Sequence, residues 1–184
     1  LIIPDADVII DLHSLGIWDR FLQLYDVTVA REVALEAKYF KTGDSLVPVG
    51  KIDLQELENE GLIKIVDPEV PDLVYLKQAA VGLPIGSIED GERDSLVVLV
   101  SGLADGLVAC MKDRAAIKFA VCAGLKDALV SVEYALNDCG LRNSFLRATD
   151  KQTAFAHLRW ALSEDGFQAA VSVAEVIRTQ NLLG

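Results

Sequence analysis

Between positions 6 and 25 the apolar residues fall at helical spacing: Val8, Ile9, Leu12 and Leu15, then Trp18, Phe21, Leu22 and Leu24. Gly16 interrupts the series and divides it into two helices. Ahead of it, Ile2-Ile3 reads as the end of a buried first strand. The β-branched run Asp26-Val27-Thr28-Val29 predicts a second strand. Positions 30–39 predict a helix that carries Glu32 and Glu36 one turn apart on one face. Positions 41–51, with Gly43, Pro48 and Gly50, read as a loop, and 53–60 as a polar, acidic helix. Leu62-Ile63-Lys64-Ile65-Val66 is a third strand, closed by Asp67-Pro68, and 72–81 a further helix before a loop at 82–86.

Positions 87–95 hold the densest charge cluster in the chain. The run Leu96-Val97-Val98-Leu99-Val100 behind it has the composition of a strand, but it is continuous with the acidic turn and ends at glycine. It is read as a buried helix. Positions 106–111 form the fourth strand, with Lys112, Asp113 and Arg114 at its carboxyl end; 115–122 is a helix, 128–130 a short fifth strand and 132–137 a helix. Two more helices are expected at 151–162 and 168–179. Strands alternating with helices imply an α/β fold: a three-layer sandwich around a central, mostly parallel five-stranded sheet.

Composition narrows the function classes. A chain of 184 residues is expected to form one domain with a full core. The net charge of −11 argues against broad electrostatic adhesion to nucleic acid or anionic membrane. It leaves a nuclease open, because a metal-binding acid cluster is itself negative and needs divalent cations to approach phosphate. Cys110, Cys122 and Cys139 are widely spaced without a Cys-x-x-Cys, and His13 and His157 stand alone. Free thiols in a reducing cytosol are the expectation, not zinc or a disulfide framework. No apolar run approaches the ~18 residues of a membrane span, and no signal-peptide pattern is visible, so a cytoplasmic location is expected. In the last helix, Phe167, Val171, Val173, Ala174, Val176 and Ile177 are read as core before they are read as a dimer face.

Four acidic clusters remain. Asp5, with Asp7, ends the first strand; Glu36 lies on the helix after the second; Glu92 and Asp94 open the helix before the fourth; Asp113 ends the fourth. In a parallel sheet these positions share the carboxyl edge, where ligands are held. Carboxylates packed together repel and resist ionising. A bound Mg²⁺ or Mn²⁺, which prefers oxygen ligands, makes the arrangement tolerable, and two such ions suit phosphodiester cleavage. Each acid also has a plain structural role. Asp5, Asp7 and Asp113 can cap helices, Ser87 with Asp90 fits a capping box, Glu92 and Asp94 suit a helix N-terminus, and Glu36 can be a solvated charge.

In this order the motifs resemble the PIN domain family, and most its compact prokaryotic branch of toxin–antitoxin nucleases. Asp5-Ala6-Asp7-Val8-Ile9-Ile10-Asp11-Leu12 is similar to the first motif, an Asp followed by an apolar helix. The stretch from Val27 through Arg31-Glu32-Val33-Ala34-Leu35-Glu36 is similar to the second. Gly91-Glu92-Arg93-Asp94-Ser95-Leu96 and Met111-Lys112-Asp113-Arg114 resemble the third and fourth. The resemblance implies a PIN-like domain over 1–143, with 144–184 a C-terminal helical extension packed on it. It implies a Mg²⁺- or Mn²⁺-dependent endoribonuclease with Asp5, Glu36, Asp94 and Asp113 catalytic and metal-holding, and Glu92 close behind Asp94. Lys112 and Arg114, with Lys118, are the candidates for contact with RNA. An antitoxin-like protein and a second copy of the chain are possible partners. Two positions depart from the family: Lys112 stands where that branch usually has another Asp, and Ala6-Asp7 where a hydroxyl residue is common. Lys112 either neutralises the site or contacts a phosphate. The alternatives are an inactive PIN-like binding or assembly module and, further off, a haloacid-dehalogenase-type phosphatase with Asp5 as nucleophile.

Overall fold

The computed structural model describes residues 1–40, 50–79, 88–102, 105–138, 140 and 163–183. In chain order it runs β1 (Ile2–Pro4), α1 (Ala6–Ser14), α2 (Trp18–Leu24), β2 (Val27–Ala30) and α3 (Arg31–Glu36). A two-stranded hairpin of β3 (Tyr39–Phe40) and β4 (Gly50–Lys51) follows. Next come α4 (Leu54–Asn59), β5 (Ile63–Val66), α5 (Val70–Ala79), α6 (Asp90–Gly102), β6 (Val108–Cys110), α7 (Arg114–Cys122) and β7 (Leu129–Val130). The last two helices among the described residues are α8 (Val132–Asp138) and α9 (Glu164–Leu183).

The main sheet has the order β5-β2-β1-β6-β7, and every neighbouring pair is parallel. Successive strand residues point to opposite faces. Ile2 and Ile3 are both buried, as are Val29 and Ala30, and Ala109 and Cys110. Both faces of the central strands are therefore covered, as a parallel sheet requires. The edge strand β5 differs: Ile63 and Ile65 are buried while Lys64 is exposed.

Chain direction across the sheet reverses between β1 and β6, the position where open α/β sheets hold ligands. Ile2, Ile3 and Pro4 pair with Val108, Ala109 and Cys110, so the two strands end level. Asp5 and the segment 111–113 leave the sheet side by side. Helix α6 lies over β1, β2 and β6, and packs against α3, α5 and α7. Its apolar run is buried from Leu96 to Leu99, which is why a strand-like composition adopts a helix here.

Gly16, at φ 68°, supplies the left-handed turn that ends α1. His13 stacks between Trp18 and Phe40, with ring centroids 5.1 and 5.5 Å away, and burial lowers its pKa to about 4. It is a neutral member of the aromatic core. The last helix lies along α7 and touches α8. Phe167, Val171 and Ala174 are buried there, whereas Val173 and Val176 are exposed.

Three elements differ from their predicted form. The helix expected over 30–39 stops at Glu36, and Tyr39 and Phe40 instead pair antiparallel with Gly50 and Lys51. Buried Ala37, at ψ 67°, turns the chain out of the helix. The fifth helix starts at Val70 rather than at 72. The final helix starts at Glu164 rather than 168, because Ser163 Oγ accepts from Gly166 N–H and two acids follow in its first turn. The expected loop at 82–86, the helix at 151–162 and positions 41–49 lie outside the described residues. No described helix is long and apolar enough to cross a membrane.

Leu96 is fully buried beneath the sheet-facing side of α6. Leu96→Ala should lower unfolding free energy by about 3 kcal/mol in a urea titration. A loss under about 1 kcal/mol would place Leu96 outside a packed core.

Candidate functional site

Asp5 follows Pro4 directly, and its backbone N–H donates to the Cys110 carbonyl at 3.2 Å, tying the ends of β1 and β6 together. Its Oδ1 accepts from Val8 N–H at 2.7 Å and so caps α1. Asp113 does the same for α7: its Oδ1 accepts from Ala115 N–H at 2.6 Å and Ala116 N–H at 3.0 Å. Capping and site roles are therefore not alternatives here. A carboxylate has two oxygens, and each cap uses one. Asp5 is 2% exposed, and its Oδ2 is buried with no hydrogen-bond partner. Among the described residues it is the one carboxylate oxygen in that condition.

Two helices bring further acids to this point. Glu36, the last residue of α3, accepts from Gly91 N–H through Oε1 at 3.2 Å. A Cβ at position 91 would stand 2.3 Å from Glu36 Oε2, so any larger residue there would displace this carboxylate from its place at the start of α6. Glu92 turns back over the same helix end and accepts from Glu89 N–H through Oε2 at 3.0 Å, half of a capping box. Ser87, the expected capping residue, lies outside the described residues. The result is a crevice of about 300 Å³ lined by Asp5, Ala6, Asp7, Ile10, Glu36, Glu89, Glu92 and Asp113. A larger hollow, about 460 Å³, borders Thr28, Lys64, Asp67, Ser101 and Leu107. Among the described residues no buried side-chain nitrogen or oxygen lining it lacks a partner, so the acid crevice is the candidate site.

Burial dominates the electrostatics. It pushes the Asp5 carboxyl up to about 7 against the Val8 N–H bond that favours ionisation; Asp7 and Glu92 push the same way as burial, and Lys112 opposes them. Glu92 is raised to about 7 as well, by burial first and then by the Asp113 charge. Glu36 is raised, again chiefly by burial. Packed acids with this little compensation favour either retained protons or a cation.

Four of the expected acids thus meet: Asp5, Glu36, Glu92 and Asp113 line one crevice. Asp94 does not join them. Its carboxylate accepts from Arg93 Nη2 at 3.0 Å and Nε at 3.2 Å, beside Pro68, Val70, Leu73 and Lys77. Residues two apart on a helix face different ways, so one turn of α6 can present only one of this pair. It presents Glu92, with Glu89 three residues before it. Glu89 and Gly91 were not read as site residues from sequence; the Glu89–Glu92 spacing was the available signal. Lys112 Nζ lies 2.7 Å from Asp11 Oδ2 and 3.1 Å from Asp7 Oδ2, so its charge is shared between two carboxylates. Arg114 is exposed in the first turn of α7.

Among the described residues no three Asp, Glu, His or Cys side chains already stand grouped as ligands of one ion. Asp113, Glu36 and Glu92 each commit an oxygen to a backbone N–H. The fit of the site to a hard cation rests on Asp5 Oδ2, a buried, unpartnered oxygen on a residue that lines the acid crevice.

A pH dependence follows. Unfolded Asp5 ionises near 3.8, but the folded protein keeps its proton until about 7. The folded state therefore binds more protons in that interval, and stability falls as pH rises through it, levelling above. Asp5→Asn preserves the Oδ1 cap and removes the charge. In thermal melts at pH 8 without divalent ions it should be more stable than the parent, by on the order of 2–4 kcal/mol. The gap should narrow as pH falls towards 4. A variant that melts below the parent at pH 8 would contradict a buried, uncompensated charge.

The chain matches none of the protein-family models, curated proteins or solved structures with which it was compared.

Proposed function

We propose that this protein is a metal-dependent ribonuclease of PIN type, hydrolysing RNA phosphodiesters in the acid crevice. The observation that carries the reading is the buried, unpartnered Asp5 Oδ2 at the sheet's switch point, on a residue that lines one crevice with Asp7, Glu36, Glu89, Glu92 and Asp113. Asp5, Glu36, Glu92 and Asp113 would hold Mg²⁺ or Mn²⁺. Such an ion supplies Lewis-acid charge at the phosphate and lowers the pKa of a bound water.

The chain's own groups have distinct tasks. Asp5 is fixed by its cap and by the Asp5–Cys110 backbone bond, so its free oxygen holds one position without solvent. Glu92 is held over the start of α6 by the bond from Glu89 N–H to its Oε2, which would leave its other oxygen for the ion. Glu36 holds the start of α6, and with it Glu92, against the sheet edge. Arg114, exposed one residue beyond Asp113, is placed to meet a phosphate outside the crevice. No covalent intermediate is needed.

One observation favours a second reading, a PIN-like binding module without catalysis. The Lys112 ammonium already neutralises part of the acid charge through Asp7 and Asp11. Mn²⁺ titration and RNA cleavage separate the two, since the module would take up no ion at Asp5. Antitoxin-like partners and self-association belong to the same family resemblance; a co-purification would address them.

With Mn²⁺ or Mg²⁺ present, the parent should cleave RNA and EDTA should abolish cleavage. Asp5→Asn, Asp113→Asn and Glu92→Gln should each lose about 100-fold or more, while Asp94→Asn stays near the parent rate. An Asp5→Asn variant that cleaves like the parent would refute the assignment. So would dependence on Asp94 without dependence on Glu92.

A further inference from the structure

The acids at the sheet edge do not all face the crevice on equal terms. Asp7 and Asp11 lie one turn apart on α1, and a single ammonium, Lys112 Nζ, bridges them at 3.1 and 2.7 Å. The Lys112 side chain is 14% exposed and that of Asp11 is 11% exposed, so the bridge is largely sheltered. Asp7 is 66% exposed and borders the crevice, so the bridge reaches its rim. Two carboxylates within ion-pair distance share this one ammonium.

We infer that Lys112 occupies, as a tethered monovalent cation, the place a second divalent ion would take, so that the crevice seats one Mg²⁺ or Mn²⁺ and not two. This rests on the metal-centre reading given above. Two physical facts support it. An ammonium 3.1 Å from Asp7 repels any divalent ion that approaches the same carboxylate. Moving Lys112 away to admit that ion would strand the buried Asp11 carboxylate without its partner, a costly state. The first ion has the easier approach: Lys112 acts on Asp5 only at a distance, without a bond, and Asp5 Oδ2 has no partner. A single-ion centre leaves the leaving oxygen to protein groups or water, which assigns Lys112 a positioning role through Asp7 rather than a catalytic one.

The test is Mn²⁺ stoichiometry on the full chain, read by isothermal titration and by electron paramagnetic resonance of free Mn²⁺, with no RNA present. The parent should bind one equivalent. Lys112→Arg keeps the charge and should also bind one. Lys112→Gln, which frees Asp7, should bind two. The double variant Asp11→Asn/Lys112→Gln removes the buried pair together, which covers poor folding of the single variant, and should also bind a second equivalent, more weakly than Lys112→Gln because Asp7 is then the one carboxylate left of the two. A parent that binds two equivalents overturns the inference while leaving the metal centre standing. A parent that binds none overturns the metal centre itself. Glutamine variants that remain at one equivalent overturn the role of Lys112.

Discussion

The structure depends on a carboxylate held out of water at the end of its central strand. Burial of Asp5 follows from the fold: β1 is flanked by β2 and β6, covered on both faces, and ends at a proline from which Asp5 emerges directly. Burying a charge is unfavourable unless it is paired or hydrogen-bonded. Val8 N–H and the nearby Lys112 ammonium offset part of the cost, and the raised pKa measures what remains. A structural helix cap needs only Oδ1. The second oxygen, buried and unpartnered, has no purpose in the fold alone, and this excess is what marks the site.

The same economy runs along the sheet edge. Four of the acids in the crevice also hold a helix end in place: Asp5 for α1, Asp113 for α7, Glu92 and Glu36 for α6. Helix N-termini gather at the carboxyl edge of a parallel sheet, and N-termini favour carboxylates. Capping therefore concentrates negative charge at the switch point. Burial raises both Asp5 and Glu92 to about 7, and among the described residues Asp5 Oδ2 is the one buried carboxylate oxygen left without a partner.

Much of this was legible in the sequence. The five sheet strands and the helices between them follow from apolar spacing, and Asp5 and Asp113 stand out because each ends a strand and begins a helix. Glu92 and Asp94 were not separable, since both occupy one turn of α6 and only its packing over β1, β2 and β6 decides which faces the crevice. Gly91 gave no sign of its role, because the reason for it is the Glu36 carboxylate, 55 positions away in sequence. The β3–β4 hairpin was hidden for a simpler reason: two residues a side are too few for alternation to register. Lys112 was visible as an anomaly, but its partner Asp11 appeared only as part of an apolar helix.

An anomalous-scattering map from crystals grown with Mn²⁺ tests the central claim most directly. The account requires a peak in the crevice with Asp5 Oδ2 as a ligand, at about 2.0–2.2 Å, accompanied by Asp113 or Glu92. A map with no peak there, or one in which Asp5 Oδ2 hydrogen-bonds to the protein while Mn²⁺ sits beside Asp94, would contradict it.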